Sequence, residues 1–201
     1  MLKEIRPALV LLLAFTILTG LIYPLVMTGV AQVVFPYQAQ GSLIEKDGKV
    51  IGSELIGQQF ATDTFFQGRP SATLGPDPVD PSKTASVPYN AANSGGSNLG
   101  PTSKVLIERV TADVAKLKQE NPSAQVPIDL VTTSGSGLDP DISPAAALFQ
   151  VPRVAKERNM SEDSVRQLVT EQIEGRTLGI LGEPRVNVLA LNLALDLAGP
   201  K

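Results

Sequence analysis

The feature that most constrains this chain is a long run without charge. Between Pro7 and Ile44 there is no Asp, Glu, Lys or Arg, and the only side chains with strong hydrogen-bonding demand are Gln32, Gln38 and Gln40. A membrane-spanning helix needs about 20 mainly apolar residues, and Ala8 to Val34 supplies 27. A secretory signal has an apolar region of about 7–15 residues followed by a small-residue cleavage site. This run is longer, and Phe35-Pro36-Tyr37-Gln38-Ala39-Gln40 has no A-x-A pattern. The expectation is a retained single span over residues 7–34, preceded by residues 1–6 and followed by a soluble domain over 35–201.

Basic residues set the expected orientation. Lys3 and Arg6 lie against the start of the run, whereas the next ones, Lys46 and Lys49, come well past its end. The positive-inside bias then puts the N-terminus in the cytoplasm and the domain outside. Within the run, Thr16, Thr19, Gly20, Tyr23 and Met27 share one face at helical spacing. Small and hydroxyl side chains let a second helix approach closely, so this face is expected to pack against another subunit.

Setting aside Lys3, Arg6 and Glu4 leaves 15 basic and 19 acidic residues from Glu45 onward, four net negative charges. Phosphate backbones are bound by clustered basic charge, so a nucleic-acid partner is not expected. The chain has neither histidine nor cysteine, which excludes Ser-His-Asp and Cys-His catalysis and the usual zinc ligands. A Ser/Lys hydrolase would have to use Ser82-Lys83, Ser103-Lys104 or the serines at 134 and 136. Adjacent residues do not point at each other, and no lysine sits in an apolar setting that would lower its pKa. No catalytic residue, metal ligand or tightly bound cofactor is expected.

Ser42 to Ser53 reads as a hairpin around Asp47-Gly48, a pair suited to a turn with positive φ. Leu55 to Phe66 is apolar and aromatic and is expected to pack on that hairpin. Residues 68–101 form a long polar loop rich in Pro, Gly, Ser and Asn; loops of this length are functional or disordered, and Tyr89, Asn90 and Leu99 point to docking. A helix is expected from Thr102 or Ser103 to Asn121-Pro122, with Ile107, Val110, Val114 and Leu117 inward. Ile128 to Thr132 reads as a short strand. Ser143-Pro144 opens a second helix, cap then first-turn proline; Asp139 and Asp141 before it are oxygen ligands of the kind a hard cation takes, but the favoured expectation is that they complement the helix dipole and cap free amides. Ser161 caps a third helix, Glu162 to Glu174, and Arg185 to Leu197 reads as a strand continuing into a short helix. The fold class expected is a single N-terminal transmembrane helix plus an α/β (α+β) domain of mixed short strands and about three helices. Ser94-Gly95-Gly96-Ser97-Asn98 lacks the following Lys-Ser/Thr and the preceding strand of a P-loop, and stands as a candidate nucleotide or subunit-contact loop.

Four segments carry a resemblance: Phe66 to Ala72, Tyr89 to Thr102, Asp129 to Pro140, and Pro184 to Leu189. With the single span, they resemble, in order, the C subunit of the Kdp potassium-transporting ATPase (the KdpC family). The resemblance implies a non-catalytic subunit of a bacterial inner-membrane complex for ATP-driven high-affinity potassium import. Its implied partners are a channel-like potassium-translocating A subunit, a P-type ATPase B subunit and a small single-span F subunit. It also implies a role in assembly, and as a catalytic chaperone raising the pump's affinity for ATP. Family members often carry histidine after Leu-Asp-Pro, where this chain has Asp141, so a role resting on that imidazole is not open to it. The alternative is a nucleotide-binding module acting directly on the pump.

Overall fold

A computed structural model of the chain describes residues 2–199. It divides into two compact units at the Ser53–Glu54 junction.

In the first unit a 3-10 turn, Leu2–Glu4, leads into a continuous 30-residue helix, Ile5–Val34, long and apolar enough to cross a membrane. At 1.5 Å per residue it is roughly 45 Å long, more than the hydrocarbon thickness of about 30 Å. It consists of α1 (Ile5–Ile17), a π-helical stretch (Leu18–Ile22) and α2 (Tyr23–Val34). Pro24 accounts for the interruption: it has no N–H, and its ring would meet the carbonyl one turn back. The chain responds by widening the turn, and the Tyr23 N–H donates to the Leu18 carbonyl. A π-bulge carries one extra residue, so Tyr23 and Met27 are displaced around the axis by ~100° relative to Thr16. Thr19 is turned inward to its own helix, its Oγ1 donating to the Phe15 carbonyl at 2.7 Å.

After a single turn, α3 (Pro36–Ala39), comes the hairpin of β1 (Leu43–Lys46) and β2 (Lys49–Ser53). Asp47 and Gly48 have φ of +53° and +73°, the double left-handed turn that Asp-Gly favours.

The second unit is built on helices α5 (Pro144–Glu157), α6 (Glu162–Glu171) and α7 (Val188–Ala198). Beside them lies a three-stranded antiparallel sheet of β5 (Asp141–Ile142), β7 (Arg185–Asn187) and β6 (Ile173–Glu174), with β7 central. Each helix starts on the cap its sequence offers. Ser143 accepts from the Ala146 N–H, Ser161 from Ser164 and Asn187 from Ala190. Val151, Val154, Val165, Val169, Val186, Leu191 and Leu195 are fully buried. The Arg185–Leu197 segment runs, as its pattern predicts, from three strand residues directly into a helix, α7.

Several local expectations are corrected. Ile128–Leu130 is a 3-10 turn, not a strand. Leu130 is drawn into the core while Asp129 accepts from the Ser143 N–H and Oγ at 2.7 and 3.1 Å. The helix capped by Ser161 ends at Glu171 because Ile173 and Glu174 pair with β7. On α4 (Lys104–Glu120), Ile107 is exposed and Leu106 takes the inward place beside Val110, Val114 and Leu117. The Ser103 side chain makes no cap bond there.

Phe66, at the end of the Leu55–Phe66 segment, is fully buried in the core of the second unit. Phe66 follows a turn at 62–65 and belongs to no strand, and two side-chain amides supply the backbone partners a strand would have given. Asn192 accepts from the Phe66 N–H at 2.8 Å and donates to its carbonyl at 2.9 Å. Gln150 does the same for Gln67, at 2.8 and 3.0 Å. An unpaired buried backbone group costs about as much as a lost hydrogen bond. These amides therefore fix the point from which the long polar segment departs.

Candidate functional site

Residues 68–101 hold one small hairpin, β3 (Leu74–Pro76) with β4 (Thr84–Ser86); outside it a few backbone bonds, such as Val87 N–H to the Thr73 carbonyl at 3.1 Å, are joined by many from side chains. Ser71 Oγ donates to the Gly137 carbonyl at 2.8 Å and accepts from the Tyr89 N–H at 3.0 Å. Thr73 Oγ1 donates to Val87 O at 2.6 Å and accepts from the Asn90 N–H at 3.1 Å. Asn90 and Asn93 both donate through Nδ2 to the Leu74 carbonyl, at 2.8 and 2.9 Å. The segment is a folded platform in which side-chain hydroxyls and amides supplement a sparse set of backbone bonds.

Ser94-Gly95-Gly96-Ser97-Asn98 lies against the turn at residues 133–137. The Gly95 N–H and Ser94 Oγ both donate to the Ser136 carbonyl, at 2.8 and 3.0 Å, and Ser97 Oγ accepts from Thr133 Oγ1 at 3.2 Å. A Cβ on Gly96 would stand 2.9 Å from the Gly135 carbonyl oxygen, so this glycine permits two backbones to meet. Gly137 faces them with φ of +68°, and a Cβ there would run into the Thr73 methyl. A phosphate cradle points its donors outward into a common concavity. Here the Ser94 and Gly95 donors turn inward to the chain.

Beneath the platform, Arg69 pairs with Asp139 at 3.0 Å and reaches toward the Thr133 carbonyl at 3.4 Å. Its own carbonyl accepts from Tyr89 Oη at 2.7 Å. Burial, reinforced by the Asp139 charge and opposed by Arg69, pushes the Tyr89 phenol up to about 12. It therefore remains a donor throughout the neutral range. Asp139 and Asp141 do not serve the dipole of α5 as expected: Asp139 faces Arg69, Asp141 pairs with Arg185 at 3.0 Å, and Asp129 takes the place at the cap. Burial raises the Asp141 pKa despite the attraction of Arg185.

Of the Ser/Lys candidates, Ser82, Lys83 and Lys104 have other partners. Ser82 Oγ donates to Asp80 and Lys83 Nζ pairs with the same carboxylate at 3.0 Å. The Ser82 hydroxyl and Lys83 hold the Asp80 pKa below its ordinary value. Lys104 faces Glu108 at 3.6 Å. Arg69 and Gln150 are members of this arrangement that sequence reasoning did not single out. Arg69 lies in the quoted Phe66–Ala72 segment, but nothing in the pattern says that it crosses to Asp139.

A family model described as KdpC, the K+-transporting ATPase c chain, matches residues 5–197. The chain belongs to the KdpC family. It is 73% identical over 201 residues to the potassium-transporting ATPase KdpC subunit of Bradyrhizobium diazoefficiens, covering all of both chains. To the KdpC subunit of Rhodopseudomonas palustris it is 69% identical over 201 residues, again covering all of both. To that of Methylobacterium nodulans it is 69% identical over 200 residues, covering 99% of this chain and all of the other. Membership of the family makes this chain a subunit in potassium transport and associates it with a membrane. The match takes in the apolar helix and the folded platform together.

Proposed function

We propose that the chain is a non-catalytic assembly subunit of an ATP-driven potassium importer, held by Ile5–Val34 with its second unit outside the cytoplasm. Its partners in this reading are the channel-like A subunit, the P-type ATPase B subunit and the small F subunit. Thr16, Thr19, Gly20 and Tyr23 contribute to helix packing, modified by the π turn that moves Tyr23 around the axis. The observation that carries the reading is the inward commitment of the Ser94–Asn98 loop. The Gly95 N–H and Ser94 Oγ hold the 133–137 turn, as a rigid contact platform requires. On this reading any rise in the pump's ATP affinity travels through the membrane subunits, because ATP is on the other side.

One experiment tests both halves. The complex is purified through a tag on this chain carrying Ser97→Cys, whose thiol is unique because the sequence has no cysteine. The expected result is co-purification of the other subunits and labelling of the introduced thiol by an impermeant reagent applied from outside the cell. Labelling only from the cytoplasmic side would overturn the topology and return the loop to the compartment that holds ATP.

A further inference from the structure

Between β6 and β7 the chain throws out a short tongue, Arg176-Thr177-Leu178-Gly179-Ile180-Leu181-Gly182-Glu183. Leu178 is 85% exposed, Ile180 74% and Leu181 57%. Apolar side chains so exposed on a loose loop would carry little information, but this loop is closed in two ways. Thr177 and Leu181 form an antiparallel bridge, N–H to carbonyl at 2.9 and 3.0 Å in the two directions. At its base the Arg176 guanidinium donates to both carboxylate oxygens of Glu183, at 2.8 and 2.7 Å. Leu178 is held at φ of +55°, a conformation that costs a bulky residue energy and persists only where the surroundings impose it, often at binding sites. The base of the tongue, Glu183-Pro184, borders an open groove of about 410 Å³ whose wall includes Ile128, itself 75% exposed.

We propose that the tongue and this groove are a docking surface for an uncharged, apolar segment of another subunit of the complex. The proposal rests on the assembly reading above and names the surface that would serve it. Charge selects the occupant. Arg176 and Glu183 neutralise each other, the six residues between them carry no charge, and the charged groups on the groove wall are engaged in turn: Arg185 with Asp141, Arg69 with Asp139, and Asp129 with the Ser143 N–H and hydroxyl. An anionic lipid surface is met by clusters of basic residues and an interfacial anchor by aromatic ones, and the tongue has neither. Isolated apolar side chains on a surface need no explanation, whereas a grouped set marks a contact site. A neutral cleft on a protein partner matches both the apolar tip and the cancelled charge at its base.

The test uses the full chain and two single-thiol variants, Leu178→Cys and Val79→Cys; Val79, at the polar β3–β4 loop, is 94% exposed. Maleimide labelling is timed for each variant in the purified complex, in the chain alone in detergent, and in the chain alone in vesicles containing anionic lipid. The Leu178→Cys thiol should react at least tenfold more slowly in the complex than in the chain alone, in detergent or vesicles, while the Val79→Cys thiol changes little. Equal rates at position 178 in all three would overturn the proposal. Protection by vesicles alone would also overturn it, giving the tongue to the membrane. As a second variant, Leu178→Gly with Ile180→Ser should lower recovery of the complex several-fold and leave the thermal midpoint of the chain unchanged. Full recovery would count against the docking surface. Failure of the unaltered chain to co-purify would instead sink the assembly reading itself.

Discussion

The α5–α7 core and the 68–101 platform are held by opposite means. The core is organised by area: Val151, Val154, Val165, Val169, Leu191 and Leu195 are all at 0% exposure, and burying such a side chain contributes about 1.5–3 kcal/mol. The platform draws its order from directed bonds made by Ser71, Thr73, Tyr89, Asn90 and Asn93, each worth only about 0.5–1.5 kcal/mol net. Hydrophobic burial tolerates small shifts, whereas a network of hydroxyls fixes geometry and fails locally when one member is lost. The platform should therefore be the more specific surface and the less stable one.

The sharpest break would come at Phe66, which joins the two regions and is fully buried. Phe66→Ala should cost about 3–5 kcal/mol, seen as a lower denaturant midpoint for the whole second unit. A loss confined to the platform would show that the core does not depend on this anchor. Next is Gly137→Ala, which forces a Cβ at φ of +68° into Thr73. Strain of this kind costs about 1–3 kcal/mol, and hydrogen exchange should accelerate at residues 71–97 while α5–α7 stay protected. Uniform acceleration would mean that core and platform unfold as one.

The third effect is silent at neutral pH and shows itself only as a pH dependence. The Tyr89 phenol is raised to about 12 when folded, against about 10 unfolded. The folded state therefore holds the proton more tightly. The contribution is present in full below pH ~10 and is lost as pH rises toward ~12. Tyr89→Phe should flatten stability over that window, and an unchanged slope would remove Tyr89 as its cause.

Much of this architecture is legible in local chemistry. Asp47-Gly48 gives its turn, and Ser143-Pro144 and Ser161 open their helices, because those residues satisfy backbone groups within three or four positions. Asn187 offered the same signal for α7, hidden inside an apolar run that suits a buried strand equally well. What could not be read were choices made across the chain. Ile128–Thr132 has the composition of a strand, but Leu130 and Asp129 are claimed by the core and by Ser143. Leu-Gly-Ile-Leu-Gly at 178–182, between Arg176 and Glu183, had the makings of a closed apolar loop; only the folded chain shows its leucines exposed.

Sequence alone specifies a membrane-competent helix, because the need for some 20 uncharged residues is a local requirement met within one segment. It also determined the family, through ordered polar motifs spanning the chain. Tertiary structure alone decided what those motifs do for one another. Ser136 accepts from Ser94, and Asn192 receives Phe66 across 126 positions of chain. Hydrogen-bond partners distant in sequence are selected by the packed core that brings them together, and no local propensity encodes that choice.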